Sequence, residues 1–327
     1  MARKLTLPAG KAGMSATRTT FVLGTRGSDL ALAQTRMVAE GLAALRPEAV
    51  LERRIITTSG DAGTTLPLHE PTAEGAGLFT RQLEEALISR EIDLAVHSLK
   101  DLPVSSPRGL VLAAILPRAP VDDLLVSRHP GGLAGLPHGA VVGSSSPRRS
   151  LLLLRTRPDL RILPIRGNVP TRLAKVAAAR EYDATVLAAA GLIRLGHNVG
   201  TGSIALGEVI LGLERLEGML PAPGQGAIAV ETRAGDPAEE LASLLHDPVT
   251  ALCVEAEREL LRRLGGGCHL ALGALASVTS GGILLRAAYI PDQSDPSDFR
   301  CGEANAATPA EAASLVAASL LGNPDPS

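Results

Sequence analysis

Aromatic residues are scarce in this chain of 327 residues: Phe, Tyr and Trp together make up 2% of it, and Trp is absent. The cores must therefore be packed by Leu, Val, Ile and Ala. Proteins that bind single-stranded nucleic acid stack its bases on aromatic side chains, so the scarcity argues against that function. The formal net charge is −2, which gives no overall positive field to attract a polyanion. We expect no nucleic-acid partner, and any anion site must be local.

Cysteine is also rare, with three residues at positions 253, 268 and 301. They form neither a paired disulfide framework nor a CxxC metal knuckle, which favours a reducing compartment. No apolar run approaches the roughly 18 residues that a membrane span requires, and the basic N-terminal segment lacks the apolar core of a signal peptide. We expect a cytoplasmic protein without membrane contact. Met14 as the true start and a short organelle-targeting segment stay open as alternatives.

What the chain does have is a repeated alternation of strand and helix patterns. Apolar residues Leu30, Ala33, Met37 and Leu42 at helical spacing follow a β-rich run that begins near Thr20. Similar units continue, which predicts an open and largely parallel sheet. Two Pro/Gly-rich segments, "PRAPVDDLLVS" and "MLPAPGQGAIAVE", interrupt the pattern and read as crossings between two lobes. A ligand cleft between two such lobes is the expected consequence.

A third unit follows the second crossing. Residues such as Val249, Leu252, Cys253 and Leu260 predict one apolar helix face, and Thr308 to Glu311 reads as a capping box with Pro309 in the first turn. The predicted class is α/β, with two lobes joined by a double hinge and a smaller α+β C-terminal domain. The predicted boundaries are a flexible tail at 1–19, a first domain at 20–117 and 219–243, a second at 118–218, a third at 244–322 and a disordered tail at 323–327.

Loops that follow strands are where open α/β folds place their ligands, and here they are rich in serine and arginine. Helix N-termini and guanidinium groups in such loops suit carboxylates or phosphates. There is no GxxxxGK[ST] loop and no complete GxGxxG fingerprint, so several carboxylates fit better than a nucleotide. The residues in these loops are Arg26, Ser28, Ser145, Ser146, Arg148, Arg149, Arg166, Arg172 and Arg194.

The stretch "EIDLAVHSLKDLP" places Ser98, Lys100 and Asp101 at the end of an apolar strand, in the same predicted cleft. An ordinary Lys-Asp ion pair at a strand end is one reading. The functional reading makes Asp101 an acid among cations, able to stabilise a cationic intermediate or move protons at a basic leaving group, with Lys100 binding anions beside it. His97 reads as a strand histidine with a structural role.

Cys268 is the other special position, in "GGGCHLALG". Cys253 lies on an apolar helix face and reads as a core thiol. Three glycines before Cys268 allow a ligand to approach closely and leave the sulfur accessible, which favours a covalent attachment point. A zinc site with His269 is the rival interpretation, but adjacent Cys and His are poorly spaced and two further ligands are missing.

Together these stretches resemble the porphobilinogen deaminase family, also called hydroxymethylbilane synthases. The resemblance rests on "GTRGSDLALAQT", "GLFTRQLEEAL", "DLAVHSLKDLP", "GSSSPRRS", "IRGNVPTRL", "LPAPGQGAIAVE" and "GGCHLALGALA", in the family's order. It implies two lobes similar to periplasmic binding proteins and a dipyrromethane cofactor held by a thioether to Cys268. It also implies that four porphobilinogens are joined head to tail, with loss of ammonia, and released as linear hydroxymethylbilane.

The resemblance also assigns roles to residues. Asp101 is implied as the catalytic acid, with Lys100 beside it. Carboxylates of the pyrrole units are implied to bind Arg26, Ser28, Ser98, Lys100, Ser145, Ser146, Arg148, Arg149, Arg166, Arg172, Arg194 and Gln225. No metal is implied, and a monomer is expected.

Two positions depart from the family's pattern. Ala76 stands in "EGAGLF" where the family has a lysine, so a loop cation is missing and late substrate handling is weakened. Ala271 replaces the proline of GGCxxP, which changes the stiffness of the turn after Cys268.

Two other classes of function remain as alternatives. A two-lobed receptor for carboxylates needs the same anion-binding helix starts, although it has no use for the GGC stretch. A metal hydrolase using Cys268 and His269 is the other. An immediate Ehrlich reaction of the purified protein, which a dipyrromethane gives, separates both from the first reading.

Overall fold

A computed structural model of the chain describes residues 19–57, 80–267 and 269–322. The tails predicted at 1–19 and 323–327 lie outside these ranges, apart from Thr19. The first part of the chain alternates strands and helices as predicted. Its elements are β1 (Thr20–Thr25), α1 (Asp29–Leu45), β2 (Val50–Ile55), α2 (Arg81–Ile88), β3 (Leu94–Ser98) and β4 (Leu110–Ile115).

The middle of the chain forms a second set of elements. These are β5 (Asp123–Ser127), β6 (Val141–Gly143), α3 (Pro147–Thr156), β7 (Arg161–Leu163), α4 (Val169–Ala177), β8 (Ala184–Ala188), α5 (Ala189–Arg194), β9 (Ser203–Leu206) and β10 (Val209–Arg215). The last part comprises β11 (Ile228–Arg233), α6 (Pro237–Ser243), α7 (Pro248–Arg263), β12 (Ala271–Thr279), β13 (Gly282–Ile290), β14 (Arg300–Ala306) and α8 (Pro309–Leu321).

The first lobe is built on a five-stranded sheet in the order β2-β1-β3-β11-β4. β1 pairs in parallel with β2 and β3, whereas β11 runs antiparallel to both of its neighbours. Since β11 follows the whole second lobe in sequence, the chain returns to complete the first lobe. This return is the second crossing that the Pro/Gly-rich segment predicted.

The second lobe repeats this plan in a six-stranded sheet, in the order β7-β6-β8-β5-β10-β9. Its antiparallel insert is β5, which comes directly from the first crossing and pairs with β8 and β10. The interpretation of "PRAPVDDLLVS" as a linker alone was therefore wrong at its end, where Asp123–Ser127 is fully buried. Both sheets are mixed rather than simply parallel. Each receives one reversed strand from a crossing, and in the second lobe β9 is reversed as well, since it pairs antiparallel with β10.

The two lobes also share a local motif that fixes their register. Asp93 lies just before β3, and its backbone N–H donates to the carbonyl of Val22 at 2.8 Å while its Oδ2 accepts from the Val22 N–H at 2.9 Å. Asp183 lies just before β8 and makes the same two bonds with Val141, both at 2.8 Å. In each lobe one carboxylate therefore anchors the third strand of the chain's βαβ unit to the first.

The C-terminal unit is a three-stranded antiparallel sheet, β12-β13-β14, covered by α7 and α8. The Thr308 half of the predicted capping box forms, since Thr308 Oγ1 accepts from the Glu311 N–H at 3.2 Å, and Pro309 begins α8. The α/β class with two lobes and a smaller α+β domain is thus confirmed. The domain boundaries stay a prediction.

The predicted apolar face of α7 is only partly right. Cys253 and Leu260 are buried, but Val249 is 55% and Leu252 40% exposed, whereas Glu257 is completely buried. Similarly, Met37 on α1 is half-exposed, and the helix buries Gln34 instead. In both helices a polar residue occupies the inward position because it serves a hydrogen-bond network. In the part of the chain that the structure describes, no helix is both long enough and apolar enough to cross a membrane.

Candidate active site

The strand that carries Ser98, Lys100 and Asp101 ends as the sequence predicted. β3 runs into the first sheet and stops at Ser98, and a 3₁₀ turn over Leu99–Asp101 follows at the edge. Asp101 is exposed there, and Lys100 is half-buried, with its Nζ donating to Oε1 of Gln225 at 3.3 Å. The buried Gln34 on α1 donates to Ser98 Oγ at 2.8 Å and thereby holds the end of the strand.

One pocket at this edge brings together the candidate residues of the first lobe: Arg26, Ser28, Ser98 and Asp101 all line it. Ser28 is also the N-cap of α1, where its Oγ accepts from the Ala31 N–H at 3.4 Å. The cap places the serine and the positive end of the helix at the mouth of the pocket. A cation, a helix N-terminus and a carboxylate therefore meet within this pocket.

In the second lobe Arg148 and Arg149 are buried side by side on α3. The NH2 group of each donates to Asp123 at 2.7 Å, Arg148 to Oδ2 and Arg149 to Oδ1. Each also holds a backbone carbonyl through its NH1 group, that of Leu220 at 2.7 Å and that of Val186 at 3.0 Å. The Nε atoms of both arginines are buried and have no hydrogen-bond partner among the described residues. Two oriented guanidinium groups thus keep donors in reserve.

The side chains of the two serines in this loop make hydrogen bonds that stabilise the loop itself. Ser145 Oγ accepts from the Ile165 N–H at 3.1 Å and donates to the Ile165 carbonyl at 3.0 Å. Ser146 is the N-cap of α3, and its Oγ accepts from the Arg149 N–H at 3.5 Å. Both hydroxyls therefore have partners within the loop, and their contact with a ligand stays a prediction.

The other arginines follow the ends of β7 and β8. Arg166 is exposed, and Arg172 Nε donates to the Gly167 carbonyl at 2.9 Å. The NH2 group of Arg194 donates to the Gly226 carbonyl at 2.6 Å, while its buried Nε has no partner in the described ranges. Arg194 therefore ties the second lobe to the second crossing and still has a donor left.

Burial and neighbouring charges lower the pKa of three cations of the site. Burial, followed by the charge of the Arg149 guanidinium, lowers the pKa of Lys100 to about 8 against the opposing effect of Asp101. Burial lowers the pKa of Arg194 to about 10, and burial followed by the charge of Arg149 lowers the pKa of Arg172. In each of these residues the protonated form is less stable here than in water. An anionic ligand nearby stabilises that protonated form.

Gln225 connects the two lobes at the hinge. Its Nε2 donates to the Val121 carbonyl at 2.7 Å and to Asp123 Oδ1 at 2.9 Å, while its Oε1 accepts from Lys100. Next to it Gly226 has a φ of +87°, and a Cβ there would lie 2.5 Å from the Ala119 carbonyl oxygen. Only glycine lets the two crossings approach so closely.

Three hinge residues escaped the sequence analysis because their partners are distant in the chain. Glu257 on α7 binds Arg118 on the first crossing at 2.6 and 2.9 Å, and it also accepts from the Gly224 N–H at 2.7 Å. Arg258, the next residue, donates to the carbonyls of Leu102 and Pro103 at 3.3 and 2.6 Å, just after the Lys100–Asp101 turn. Helix α7 therefore contacts both the hinge and the turn.

Cys268 lies outside the described residues, as does Ala76. The glycines before Cys268 have φ values of +99°, +64° and +109°, a conformation that requires glycine at Gly265, Gly266 and Gly267. Cys301 is exposed, whereas Cys253 is buried and its burial raises the pKa of the thiol. Ala271 is the first residue of β12, where a proline is also tolerated. Among the described residues no three His, Cys, Asp or Glu side chains are grouped as metal ligands.

Comparison with known proteins adds two family matches. Residues 21–240 match the model described as "Porphobilinogen deaminase, dipyromethane cofactor binding domain", and residues 251–321 match "Porphobilinogen deaminase, C-terminal domain". The chain is 49% identical over 265 residues to the porphobilinogen deaminase of Thermus thermophilus, covering 80% of this chain and 82% of that one. It is 47% identical over 302 residues to that of Rubrobacter xylanophilus, covering 92% and 93%.

Solved structures align less closely. The periplasmic VFT2 domain of BvgS from Bordetella pertussis aligns with a TM-score of 0.40 and 18% identity, covering 69% of this chain and 85% of that one. A similarity of that size carries no argument about this chain.

Proposed function

This chain belongs to the porphobilinogen deaminase family, and from that membership we propose how its cleft carries out the family's reaction. The chain is a transferase of tetrapyrrole biosynthesis with a dipyrromethane-binding domain, and porphobilinogen is the substrate of the family. The reaction joins four porphobilinogens head to tail onto the bound dipyrromethane, with loss of ammonia, and hydrolysis releases hydroxymethylbilane.

The donors of the cleft fit a dipyrromethane. Each pyrrole unit brings two carboxylates, and the buried Nε atoms of Arg148, Arg149 and Arg194 lack partners among the described residues. Charge-assisted bonds from guanidinium groups to carboxylates are the strong ones, so these donors suit such a ligand. When bound, the dipyrromethane supplies a fixed primer to which substrate units are added. We propose that it is attached through Cys268, after the glycine turn of residues 265–267.

Roles for the other residues follow from their places. Asp101 is exposed at the pocket that Arg26, Ser28 and Ser98 also line, so a carboxylate is available there to hold or move a proton at the substrate nitrogen. Lys100 binds carboxylates from the same turn. We assign Arg166 and Arg172 to the growing chain at the open side of the cleft, and Arg148, Arg149 and Arg194 to its inner side. Gln225 orients Lys100, and Ser145 and Ser146 shape the loop.

The proposal extends to the location, the partners and the oligomeric state of the whole protein. We place it in the cytoplasm because its three cysteines show no disulfide pattern, which favours a reducing compartment. We expect no nucleic-acid partner, since the net charge of −2 gives no attractive field. We also expect a monomer.

The observation that carries the proposal is the set of buried, oriented guanidinium groups with unpartnered Nε donors, which Asp123 and Gln225 link to Lys100 on the first lobe. A ligand with several carboxylates is what such a cleft is built to hold, and a linear tetrapyrrole has eight.

The test is the intact mass of protein made in cells that produce porphobilinogen. We expect a mass above the sequence value by two linked pyrrole units, an immediate Ehrlich reaction, and fragment spectra that place the addition on the Cys268 peptide. Cys301 is the matched control, since its thiol is exposed and should stay unmodified, and buried Cys253 is a second one. An unmodified Cys268 in fully active protein contradicts the attachment, and a protein that never converts porphobilinogen contradicts the function.

A further inference from the structure

Asp123 is a buried carboxylate that neither the sequence motifs nor the family assignment explains. It begins β5, directly after the first crossing, and its side chain is completely shielded from solvent. Three side chains from three parts of the chain donate to it: Arg148, Arg149 and Gln225, at 2.7, 2.7 and 2.9 Å. A carboxylate in a cleft meant for carboxylates looks like a competitor for the ligand, so its presence requires a reason.

The geometry supplies one. Each arginine is fixed at two points, its NH2 group on Asp123 and its NH1 group on a backbone carbonyl, of Leu220 for Arg148 and of Val186 for Arg149. Asp123 therefore occupies one end of both guanidinium groups and leaves the two Nε donors over. Through the amide of Gln225 the same carboxylate is linked to Lys100 on the other lobe.

The charge balance supports this arrangement. Two adjacent buried guanidinium groups without an anion repel each other and lose their hydration, which is costly. Burial opposes ionisation of Asp123, but Arg149 and Arg148 outweigh it and lower the pKa of the carboxyl group. Asp123 thus stays charged and holds the pair together before any ligand arrives, while one net positive charge is left for the ligand.

We propose that Asp123 is a positioning residue for substrate binding: an internal carboxylate that fixes Arg148 and Arg149, and through Gln225 also Lys100, so that their remaining donors are preset for the acetate- and propionate-type carboxylates of the ligand. The proposal rests on the proposed function and deepens it. It assigns Asp123 no contact with the reacting atoms. The reason for its burial is preorganisation, which lowers the cost of ordering long side chains when the ligand binds.

The test compares Asp123→Asn with Asp122→Asn. Asp122 is the adjacent carboxylate, and it pairs with Arg215 at the surface, so it controls for the loss of one negative charge at the same place in sequence. Three quantities are measured well below the unfolding temperature: the fraction of chains that carry the dipyrromethane by intact mass, KM and kcat. For Asp123→Asn we expect a lower loaded fraction and a KM at least about tenfold higher, since each charge-assisted bond contributes a factor of that order. Asp122→Asn should match the wild type.

A purely structural role would lower the unfolding temperature without changing KM in the folded, loaded fraction, and that result overturns the proposal. If Asp123→Asn does not fold, Asp123→Asn/Arg148→Gln restores the charge balance and is measured instead. When both single variants fold, the double variant completes a double-mutant cycle with them. We expect the double variant to raise KM no further than the worse single variant, because Asp123 acts through Arg148; strictly additive losses overturn the proposal.

A separate measurement distinguishes failure of the proposed function from failure of the positioning role. If the wild type and Asp122→Asn do not convert porphobilinogen, the function fails, and the same variants are titrated with succinate as a simple dicarboxylate. Weaker binding of succinate to Asp123→Asn than to Asp122→Asn still supports the positioning role, and equal binding overturns it.

Discussion

Asp101 combines two properties that rarely occur together in this cleft, a carboxylate and exposure to the ligand side. It follows Lys100 on a 3₁₀ turn and lines the pocket with Arg26 and Ser28. Asp123 is a carboxylate too, but each of its oxygens already accepts a hydrogen bond from an arginine, Arg149 or Arg148. Burial and pairing with two arginines thus distinguish Asp123 from Asp101, for which we propose the role of acid or base.

Asp101→Asn is expected to keep the fold and part of the dipyrromethane loading, and to lower turnover by about 10²–10⁴-fold, the range for a positioned acid or base. Single-turnover rates on loaded protein measure this. Asp101→Glu is the companion variant, because it keeps a carboxylate on a longer arm and should retain more activity than Asn. Near-normal turnover of folded, loaded Asp101→Asn removes Asp101 from the mechanism.

Lys100 gives a prediction about pH. Its pKa in the folded chain is about 8, below the ordinary lysine value of 10.5. The groups that face it are Arg149, Arg148, Asp101 and Asp123, with Gln225 as hydrogen-bond acceptor. As the pH rises through 8 the ammonium loses its proton, so its bond to a carboxylate weakens and kcat/KM should fall at or above this pH.

The stability effect of Lys100 has the opposite sign. Between pH 8 and 10.5 the unfolded chain holds the proton more than the folded chain does, so the free energy of unfolding contributed by Lys100 increases with pH over that range. Loss of activity there cannot come from unfolding at this residue. Lys100→Arg, which keeps its charge, should move the alkaline limb to higher pH; a limb that does not move shows that another group causes it.

At the scale of elements, the two strand-to-helix loops of the second lobe use arginine in two different ways. Arg148 and Arg149 sit on α3 with a buried carboxylate between them, whereas Arg172 on α4 is half-buried and donates only to the Gly167 carbonyl among the bonds that the described residues show. Arg148 and Arg149 therefore support the fold in addition to their proposed contact with the ligand, whereas Arg172 contributes less to the fold.

We expect Arg172→Leu to raise KM by about tenfold or more while leaving the unfolding temperature nearly unchanged, because a charge-assisted bond contributes about 1.5–3 kcal/mol and its loss falls on ligand binding. Arg148→Leu should instead lower stability by several kcal/mol, since it removes one partner of a buried pair, for which about 3–5 kcal/mol is typical. Thermal unfolding and steady-state kinetics of the two variants are compared. Equal unfolding temperatures for both would contradict the distinction.

The elements themselves were largely predictable, and the exceptions have physical reasons. Alternating apolar runs and caps such as Thr308 marked most helices and strands, because those signals are local. The strand Asp123–Ser127 was missed, since five residues behind two prolines carry too little pattern and its neighbours in the sheet come from elsewhere in the chain. The buried face of α7 was misjudged for the same reason: Glu257 faces the interior, where it forms an ion pair with Arg118 from a distant part of the chain.

The candidate site was predictable to a similar extent. The sequence placed Ser98, Lys100 and Asp101 at a strand end and arginines at helix starts. The structure brings the first-lobe residues to one pocket and links Lys100 to the arginines of α3 through Gln225 and Asp123. The sequence could not indicate which arginines pair with a carboxylate of the protein, because that depends on Asp123, 25 residues before Arg148, and on a glutamine 102 residues after Asp123. Ion pairs between residues far apart in the chain produce no periodic pattern in the sequence.

At the scale of the whole molecule, Glu257 is the point where the three parts of the protein meet. Its carboxylate accepts from Arg118 on the first crossing, from the Gly224 N–H on the second and from the Ala276 N–H on β12. Arg118 in turn donates through Nε to the Gln225 carbonyl at 2.9 Å. Helix α7 thus contacts both crossings through Glu257 and, through Arg258, the chain just after the Lys100–Asp101 turn.

Glu257→Gln tests this connection, with Glu259→Gln as the matched control on the same helix. Glu259 pairs with Arg262 and Arg263 near the surface, where a lost ion pair costs about 0–1 kcal/mol, whereas breaking the buried pair of Glu257 and Arg118 costs about 3–5 kcal/mol. We expect Glu257→Gln to lower the urea midpoint clearly more than Glu259→Gln does. We also expect it to split the unfolding curve, because the third domain then loses its tie to both crossings and can unfold before the lobes. Equal midpoints and a single transition for both variants would show that the domains are held together elsewhere, and that the bonds of Glu257 follow from the domain arrangement without maintaining it.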